Sequence, residues 1–180
     1  MEMSQAKSHF PNIAPTGDAV PFVNHILEIL DHIKLFEDFE RDEVSVLARY
    51  MTCYEAVEGV EIIREGDMGD FMLLVLDGTL EVVKKNSQGL PARIALVGTG
   101  KTLGEMSVID GEPRFASCVA LTPVRFAVLA RETLTRIIAD EPKIGIKILM
   151  EFLMLLNQRL RTVSSQLVQC VEQRQKRIGR

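Results

Sequence analysis

Tryptophan is absent from the 180-residue sequence, and there are only three cysteines and three histidines. The three cysteines, Cys53, Cys118 and Cys170, lie far apart without a C-x-x-C pair, and all three histidines precede residue 33. Structural zinc and iron–sulfur sites need clustered cysteine or histidine ligands, so no metal site is predicted. An odd number of scattered cysteines also argues against a disulfide framework, and we interpret them as small apolar residues.

Long apolar runs and an excess of positive charge are missing as well. No stretch approaches the roughly 20 apolar residues that span a bilayer, and the first ten residues lack the apolar core of a signal peptide. These absences predict a cytoplasmic protein. The net charge of −4 argues against general nucleic-acid binding, because such binding relies on basic surface.

The hydrophobic content of 47% and the length fit one globular domain. We predict a flexible N-terminal segment over residues 1–20 and a single domain over residues 21–180. Within that domain, apolar residues recur at helical spacing over residues 21–51 and again from residue 131 onward. Residues 52–130 instead contain short β-branched runs separated by glycine-rich turns, with Asp77-Gly78 predicted as a hairpin turn. This pattern predicts an antiparallel sandwich or roll with helices on either side.

The segment 103–118 concentrates the residues that could bind a ligand. A short helix beginning near Gly104 would direct free N–H groups at an anion. Arg114 offers a fork of donors that suits a phosphate, and Glu105 can accept hydrogen bonds from hydroxyl groups. An anion-binding group beside a hydroxyl-binding group fits one compact ligand, a ribose phosphate.

This segment resembles the phosphate-binding cassette of cyclic-nucleotide-binding domains, which reads F-G-E-[LM]-[AS]-(five residues)-P-R-A-[AS]-[TS]-V. The matching residues are Gly104, Glu105, Met106, Ser107, Pro113, Arg114, Ala116 and Ser117. Leu103 replaces the phenylalanine, Cys118 takes the valine position, and Phe115 stands where a small residue is usual. With matching turn glycines, the resemblance extends over roughly residues 33–165. The chain is similar to the sensor domains of bacterial cAMP receptor protein-type regulators and of protein kinase A regulatory subunits.

The resemblance implies a β-roll (jelly roll) followed by a long C-terminal helix, and a non-enzymatic domain that binds cAMP more readily than cGMP, without a cofactor. Arg114 and the N–H groups after Gly104 would neutralise the cyclic phosphate, and Glu105 would hold the ribose 2′-hydroxyl. The other ligand-binding residues implied are Met106, Ser107, Phe115 and Ala116 in the cassette, with Val163 and Ser164 on the helix near the base.

The long C-terminal helix carries an unbroken heptad pattern. Its spacing of 4, 3, 4, 3, 4 and 3 predicts a left-handed pairing of helices, and therefore a parallel homodimer. The residues of this seam are Leu149, Leu153, Leu156, Leu160, Val163, Leu167 and Cys170. A second stripe, Ile148, Phe152 and Leu155, is expected to face the β-roll of its own chain. No DNA-binding domain is evident, and the effector that the domain controls is left unspecified.

Other functions remain open. A degenerate domain of the same fold could bind no nucleotide and act as a dimerising interaction module, which Phe115 favours. A jelly-roll enzyme would need histidines or a Ser/His or Cys/His pair that the roll region lacks. A haem sensor would likewise need a histidine in the roll, and a cyclic-dinucleotide sensor would need more arginines in the cassette.

Overall fold

The computed structural model describes residue 10, residues 13–31 and residues 39–178. Residues 32–38, part of the predicted helical region 21–51, lie outside the described residues. The strands are β1 (Pro15–Asp18), β2 (Thr52–Ala56), β3 (Glu61–Ile63), β4 (Phe71–Asp77), β5 (Thr79–Lys85), β6 (Pro91–Gly98), β7 (Thr102–Leu103), β8 (Ser117–Ala120) and β9 (Val124–Ala130). The helices are a 3-10 turn (Val20–Phe22), α1 (Val23–Asp31), α2 (Arg41–Arg49), α3 (Glu105–Asp110), α4 (Arg131–Asp140) and α5 (Pro142–Ile178).

The strands form two antiparallel sheets. One has the order β1-β2-β9-β4-β7 and the other the order β3-β8-β5-β6. This arrangement confirms the predicted mainly β fold with flanking helices. The predicted Asp77-Gly78 hairpin is wrong in one respect: a turn is present, with Gly78 at φ +90°, but β4 and β5 belong to different sheets. The turn therefore passes the chain from one sheet to the other.

Strand β4 explains how the sheets and helices are layered. Its side chains alternate, so Leu73 and Val75 pack between the two sheets while Met72 and Leu74 pack against the helices. A strand that is buried on both faces has a continuous apolar sequence, which is what Phe71–Leu76 shows. The five-stranded sheet thus separates an inter-sheet core from a helix-covered core.

The N-terminal segment is more ordered than predicted where the structure describes it. Strand β1 pairs with β2, with Asp18 opposite Thr52. Phe10 is buried, and its ring lies edge-on to Tyr54 at 4.9 Å and to Phe126 at 5.5 Å between centroids. At Phe10 and over residues 13–20 the chain therefore packs on the domain, unlike the flexible segment predicted for residues 1–20, because a buried aromatic ring anchors this stretch.

Helix α5 is 37 residues long and packs on the domain only along its first part. Ile148 and Phe152 are buried, as the predicted second stripe requires. From Leu160 to Lys176 every side chain is exposed. Among the described residues, no helix combines the length and the apolar character needed to cross a membrane.

Candidate functional site

The cassette connects the two sheets. It starts at β7 in the five-stranded sheet, passes through α3 and ends at β8 in the four-stranded sheet. Gly104 precedes α3 with φ +83°, a left-handed conformation that favours glycine. The first backbone N–H groups of a helix have no preceding turn whose carbonyls could accept their hydrogen bonds. The start of α3 therefore offers free N–H donors to an anion.

Arg114 lies inside the cassette. The residue is 5% exposed, its Nη2 donates to the carbonyl of Phe71 at 2.7 Å, and its Nη1 donates to the carbonyl of Gly104 at 3.0 Å. The guanidinium also stacks on the Phe71 ring, 4.3 Å from the ring centroid. Burial lowers the pKa of Arg114 from its ordinary value, against the attraction of nearby acidic groups. These contacts hold a planar cation in one orientation.

Two glycines make room for this guanidinium. A Cβ atom on Gly69 would lie 2.0 Å from Nε of Arg114, and one on Gly104 would lie 2.5 Å from its Nη1. The backbone fixes the same arginine from both sides, since Gly66 N–H donates to the Arg114 carbonyl at 2.9 Å and Arg114 N–H donates to the Asp67 carbonyl at 2.8 Å. The turn between β3 and β4 thus positions the cassette arginine.

Glu105 is the second charged residue of the cassette and is 1% exposed. One carboxylate oxygen, Oε1, forms an ion pair with Arg159 of α5, and Arg159 Nη2 also donates to the carbonyl of Thr102 at 2.8 Å. The other oxygen, Oε2, is buried and has no hydrogen-bond partner among the described residues. Burial raises the pKa of Glu105 above its ordinary value, and the Arg159 guanidinium only partly opposes this rise. An unpartnered buried oxygen on a carboxylate can accept a ligand hydroxyl.

Arg159 is the functional candidate that the sequence analysis missed. It sits between the seam residues Leu156 and Leu160, in a helix where charged side chains are normally solvated. The sequence does offer one indication of its role: Arg159 lies one helical turn before Val163, which is predicted to contact the base. Only the structure shows that its side chain reaches back to the cassette.

The other predicted cassette residues divide into structural and accessible positions. Ser107 is buried, and its carbonyl accepts hydrogen bonds from Gly111 N–H and from the Arg131 guanidinium. Ala116 is buried in the inter-sheet core, whereas Met106 is exposed. These contacts fix α3 and the start of β8 around Arg114.

Phe115 does not fill the cassette. Its side chain is 57% exposed, and its ring lies against the Lys84 ammonium, 4.5 Å from the ring centroid. The two predicted helix residues, Val163 and Ser164, are exposed on α5. A single chain therefore assembles Glu105, Arg114 and Arg159, while Val163 and Ser164 stay outside that cluster.

The two buried thiols are unreactive, and the acidic groups form no metal site in the described part of the chain. Burial raises the pKa of Cys53 to about 11 and that of Cys118 to about 12. Both thiols therefore stay protonated at neutral pH and are poor nucleophiles or metal ligands. Across residues 10, 13–31 and 39–178, no group of three or more His, Cys, Asp or Glu side chains is placed to hold a metal ion.

Comparison with known proteins identifies the class of protein to which this fold and its cassette belong. Residues 55–141 match the family described as the cyclic nucleotide-binding domain. A crystal structure of a cyclic nucleotide-binding domain from Methylobacillus flagellatus KT is 44% identical, with a TM-score of 0.79, over 87% of this chain and 88% of that one. The chain belongs to the cyclic nucleotide-binding domain family.

Two curated relatives show the proteins in which similar domains occur. The CRP-like cAMP-activated global transcriptional regulator of Mycobacterium tuberculosis is 26% identical over 80% of this chain and 62% of its own length. The cAMP-dependent protein kinase regulatory subunit of Dictyostelium discoideum is 32% identical over 79% of this chain and 43% of its own. The chain thus spans less than two thirds of the length of either relative.

Proposed function

We propose that the chain is a non-enzymatic, cytoplasmic regulatory domain that binds a cyclic nucleotide, cAMP in preference to cGMP. The observation that carries the proposal is the buried Arg114, held by two carbonyls and one ring between two glycines. Burying a guanidinium has a large desolvation cost. Two carbonyls and a ring offset only part of that cost, which suggests that the residue is there to bind an anion. The preference for cAMP is supported by the relatives from Mycobacterium tuberculosis and Dictyostelium discoideum, whose names both specify cAMP.

The ligand would be held by its phosphate and its sugar. Arg114 and the first amides of α3, after Gly104, neutralise the single charge of the cyclic phosphate. The ribose 2′-hydroxyl donates to Glu105, whose Oε2 has no hydrogen-bond partner in the described part of the chain. The proposed ligand contacts from the rest of the cassette are Met106, Ser107, Phe115 and Ala116, and Val163 and Ser164 of α5 are proposed to contact the base. No covalent bond is made or broken, so the domain acts only through binding.

Coupling to the rest of the protein runs through Arg159. This residue ties α5 to the carboxylate that would hold the ribose. A ligand hydroxyl that donates to Glu105 competes with Arg159 for the carboxylate and weakens this ion pair, so ligand-bound and ligand-free domains favour different positions of α5. Such a population shift needs only a difference in affinity between two arrangements.

A homodimer through α5 would convert that movement into a signal. The exposed residues of the seam form a continuous apolar stripe along the part of α5 that leaves the domain; they are Leu149, Leu153, Leu160, Val163 and Leu167. Leu156, which completes the heptads, is half-buried. Parallel pairing would cover this stripe on both chains.

Calorimetric titration tests the ligand directly. We expect cAMP to bind with higher affinity than cGMP, and cyclic dinucleotides not to bind. Arg114→Ala should lose about 2–5 kcal/mol of binding free energy, the range for breaking a buried charge pair. The control is Arg125→Ala, which removes an exposed arginine on β9 that pairs with Glu55. Equal affinity of the two variants would contradict the proposed site.

The second candidate, a dimerising module without a ligand, is favoured by one observation. The cassette charges have partners within the chain: Arg114 bonds two carbonyls and Glu105 pairs with Arg159. Absence of binding heat for every cyclic nucleotide, together with a dimer that Leu160→Asp dissociates in light scattering, would favour this module over the sensor.

A further inference from the structure

The side chain of Phe115 is held by contacts that a merely exposed ring does not need. The Lys84 ammonium lies over its ring and also donates to the Phe115 carbonyl at 2.7 Å. The same ammonium pairs with Glu65 at 2.8 Å. Three contacts at one ammonium group fix both the backbone and the ring of the residue that follows the cassette arginine.

The position of Lys84 places this ring at the opening of the roll. Leu80 and Val82 of β5 point into the inter-sheet core, and side chains alternate along a strand. Lys84 is the next residue in that inward-facing row. The pairing with β8 ends where Val83 lies opposite Ser117, so Lys84 is the first residue of β5 beyond that paired stretch. A cation at the end of an inward row lies at the rim of the space between the sheets.

We propose that Phe115 is a stacking platform for the purine base of the bound nucleotide, with Lys84 supporting its other face. The inference rests on the proposed function and deepens it, because it assigns base recognition to a residue that departs from the family pattern. One ring face is covered by the ammonium, and the side chain is 57% exposed. A cation on one side of the ring attracts its π electrons. The opposite face then repels the electron-rich face of a stacked purine less.

The geometry distinguishes this role from obstruction of the phosphate. Arg114 turns inward to the Phe71 and Gly104 carbonyls, whereas the Phe115 ring turns to β5. The ring therefore points away from the two carbonyls that hold the guanidinium and toward Lys84. A ligand bound by its phosphate at Arg114 would extend its base along the rim where the ring stands.

A tryptophan at position 115 reports the stacking directly, because the chain contains no other tryptophan. We expect cAMP to quench the tryptophan fluorescence of Phe115→Trp. The cAMP concentration at half-maximal quenching should agree with the Kd that calorimetry gives for the same variant. The control is Leu90→Trp at the far end of the β5–β6 hairpin, where the native side chain is also 57% exposed. Binding heat without quenching in Phe115→Trp would overturn the platform.

Affinities of matched variants give an independent test. Phe115→Ala should weaken cAMP binding by about 5- to 150-fold, the range for loss of one base–aromatic contact, and should weaken binding of a pyrimidine cyclic nucleotide less. Phe115→Tyr should retain the affinity. Lys84→Met should weaken cAMP binding by about 2- to 5-fold through loss of the cation–π contact, and Lys85→Met, at the exposed neighbouring lysine, should not.

The outcomes separate this inference from the proposed function. If the native chain binds cAMP and Phe115→Ala binds it equally or more tightly, the platform is wrong and the sensor stands. If Arg114→Ala weakens all cyclic nucleotides alike while Phe115→Ala selectively weakens purines, both are supported. If the native chain binds no cyclic nucleotide, both are overturned.

Discussion

Removing the cation of Arg159 should destabilise the domain in a pH-dependent way. Replacing Arg159 by methionine keeps the apolar stem and deletes the partner of Glu105 Oε1. Loss of one partner of a fully buried pair costs about 3–5 kcal/mol, and loss of an exposed pair costs about 1 kcal/mol or less. The Glu105 side chain is 1% exposed but that of Arg159 is 42% exposed, so we expect about 2 kcal/mol.

The dependence on pH follows from the raised pKa of Glu105. A carboxyl whose pKa is higher in the folded state contributes stability that is complete below the unfolded-state pKa and is lost as pH rises through the folded-state pKa. In Arg159→Met the opposing guanidinium is gone, so the folded-state pKa rises further. The variant therefore loses more stability than the native chain as the pH rises. Its deficit is largest at alkaline pH and shrinks toward acidic pH, where Glu105 is neutral in both proteins.

Urea unfolding at several pH values measures this deficit. At neutral or higher pH, a loss of about 2 kcal/mol corresponds to a decrease in Tm of roughly 4–8 °C for a domain of this size. The control is Arg161→Met, two residues further along α5 and exposed, which should stay within about 0.5 kcal/mol of the native chain. A deficit equal in both variants, or one that does not change with pH, would refute the ion pair as the link between cassette and helix.

Three further changes probe the same site and the helix. Glu105→Gln should keep or raise the free energy of unfolding at pH 7.5, because no carboxylate remains to be desolvated, and should weaken cAMP binding in calorimetry by about 1–3 kcal/mol. Gly69→Ala forces the Arg114 guanidinium to move and should reduce calorimetric affinity by about tenfold or more. Gly98→Ala, whose Cβ would have no atom nearer than 4.0 Å, should bind normally. Mild oxidation should give one disulfide-linked dimer on a non-reducing gel through the exposed Cys170 and none in Cys170→Ser. A monomer in both would argue against parallel pairing of α5.

Local sequence patterns predicted those features of the fold that depend only on neighbouring residues in the chain. The apolar run Phe71–Leu76 was recognisable as a strand because both of its faces are buried. The break before Pro142 was recognisable because the residue before a proline disfavours helix, and α5 begins at that proline. The cassette was recognisable because Gly104, Glu105 and Arg114 lie close in sequence.

Features that depend on distant residues could not be predicted in the same way. A turn at Asp77-Gly78 is local, but assignment of β4 and β5 to separate sheets depends on pairing with β8 and β9, about 40 residues later. The order in the N-terminal segment likewise depends on where Phe10 finds aromatic neighbours. The spacing of residues within each segment gives no information about either the pairing strands or these aromatic neighbours.

The charges of the site illustrate why its chemistry is harder to predict than its fold. Glu105 and Arg114 look like an ion pair in the sequence, since they have opposite charges and are only nine positions apart. The structure instead gives Arg114 to two backbone carbonyls and Glu105 to Arg159, 54 residues away. A guanidinium that donates only to neutral carbonyls is neutralised less than one paired directly with a carboxylate, so it can attract an anion more strongly. The division of partners among three residues therefore decides whether the cassette is a salt bridge or a ligand site, and it connects that site to the helix.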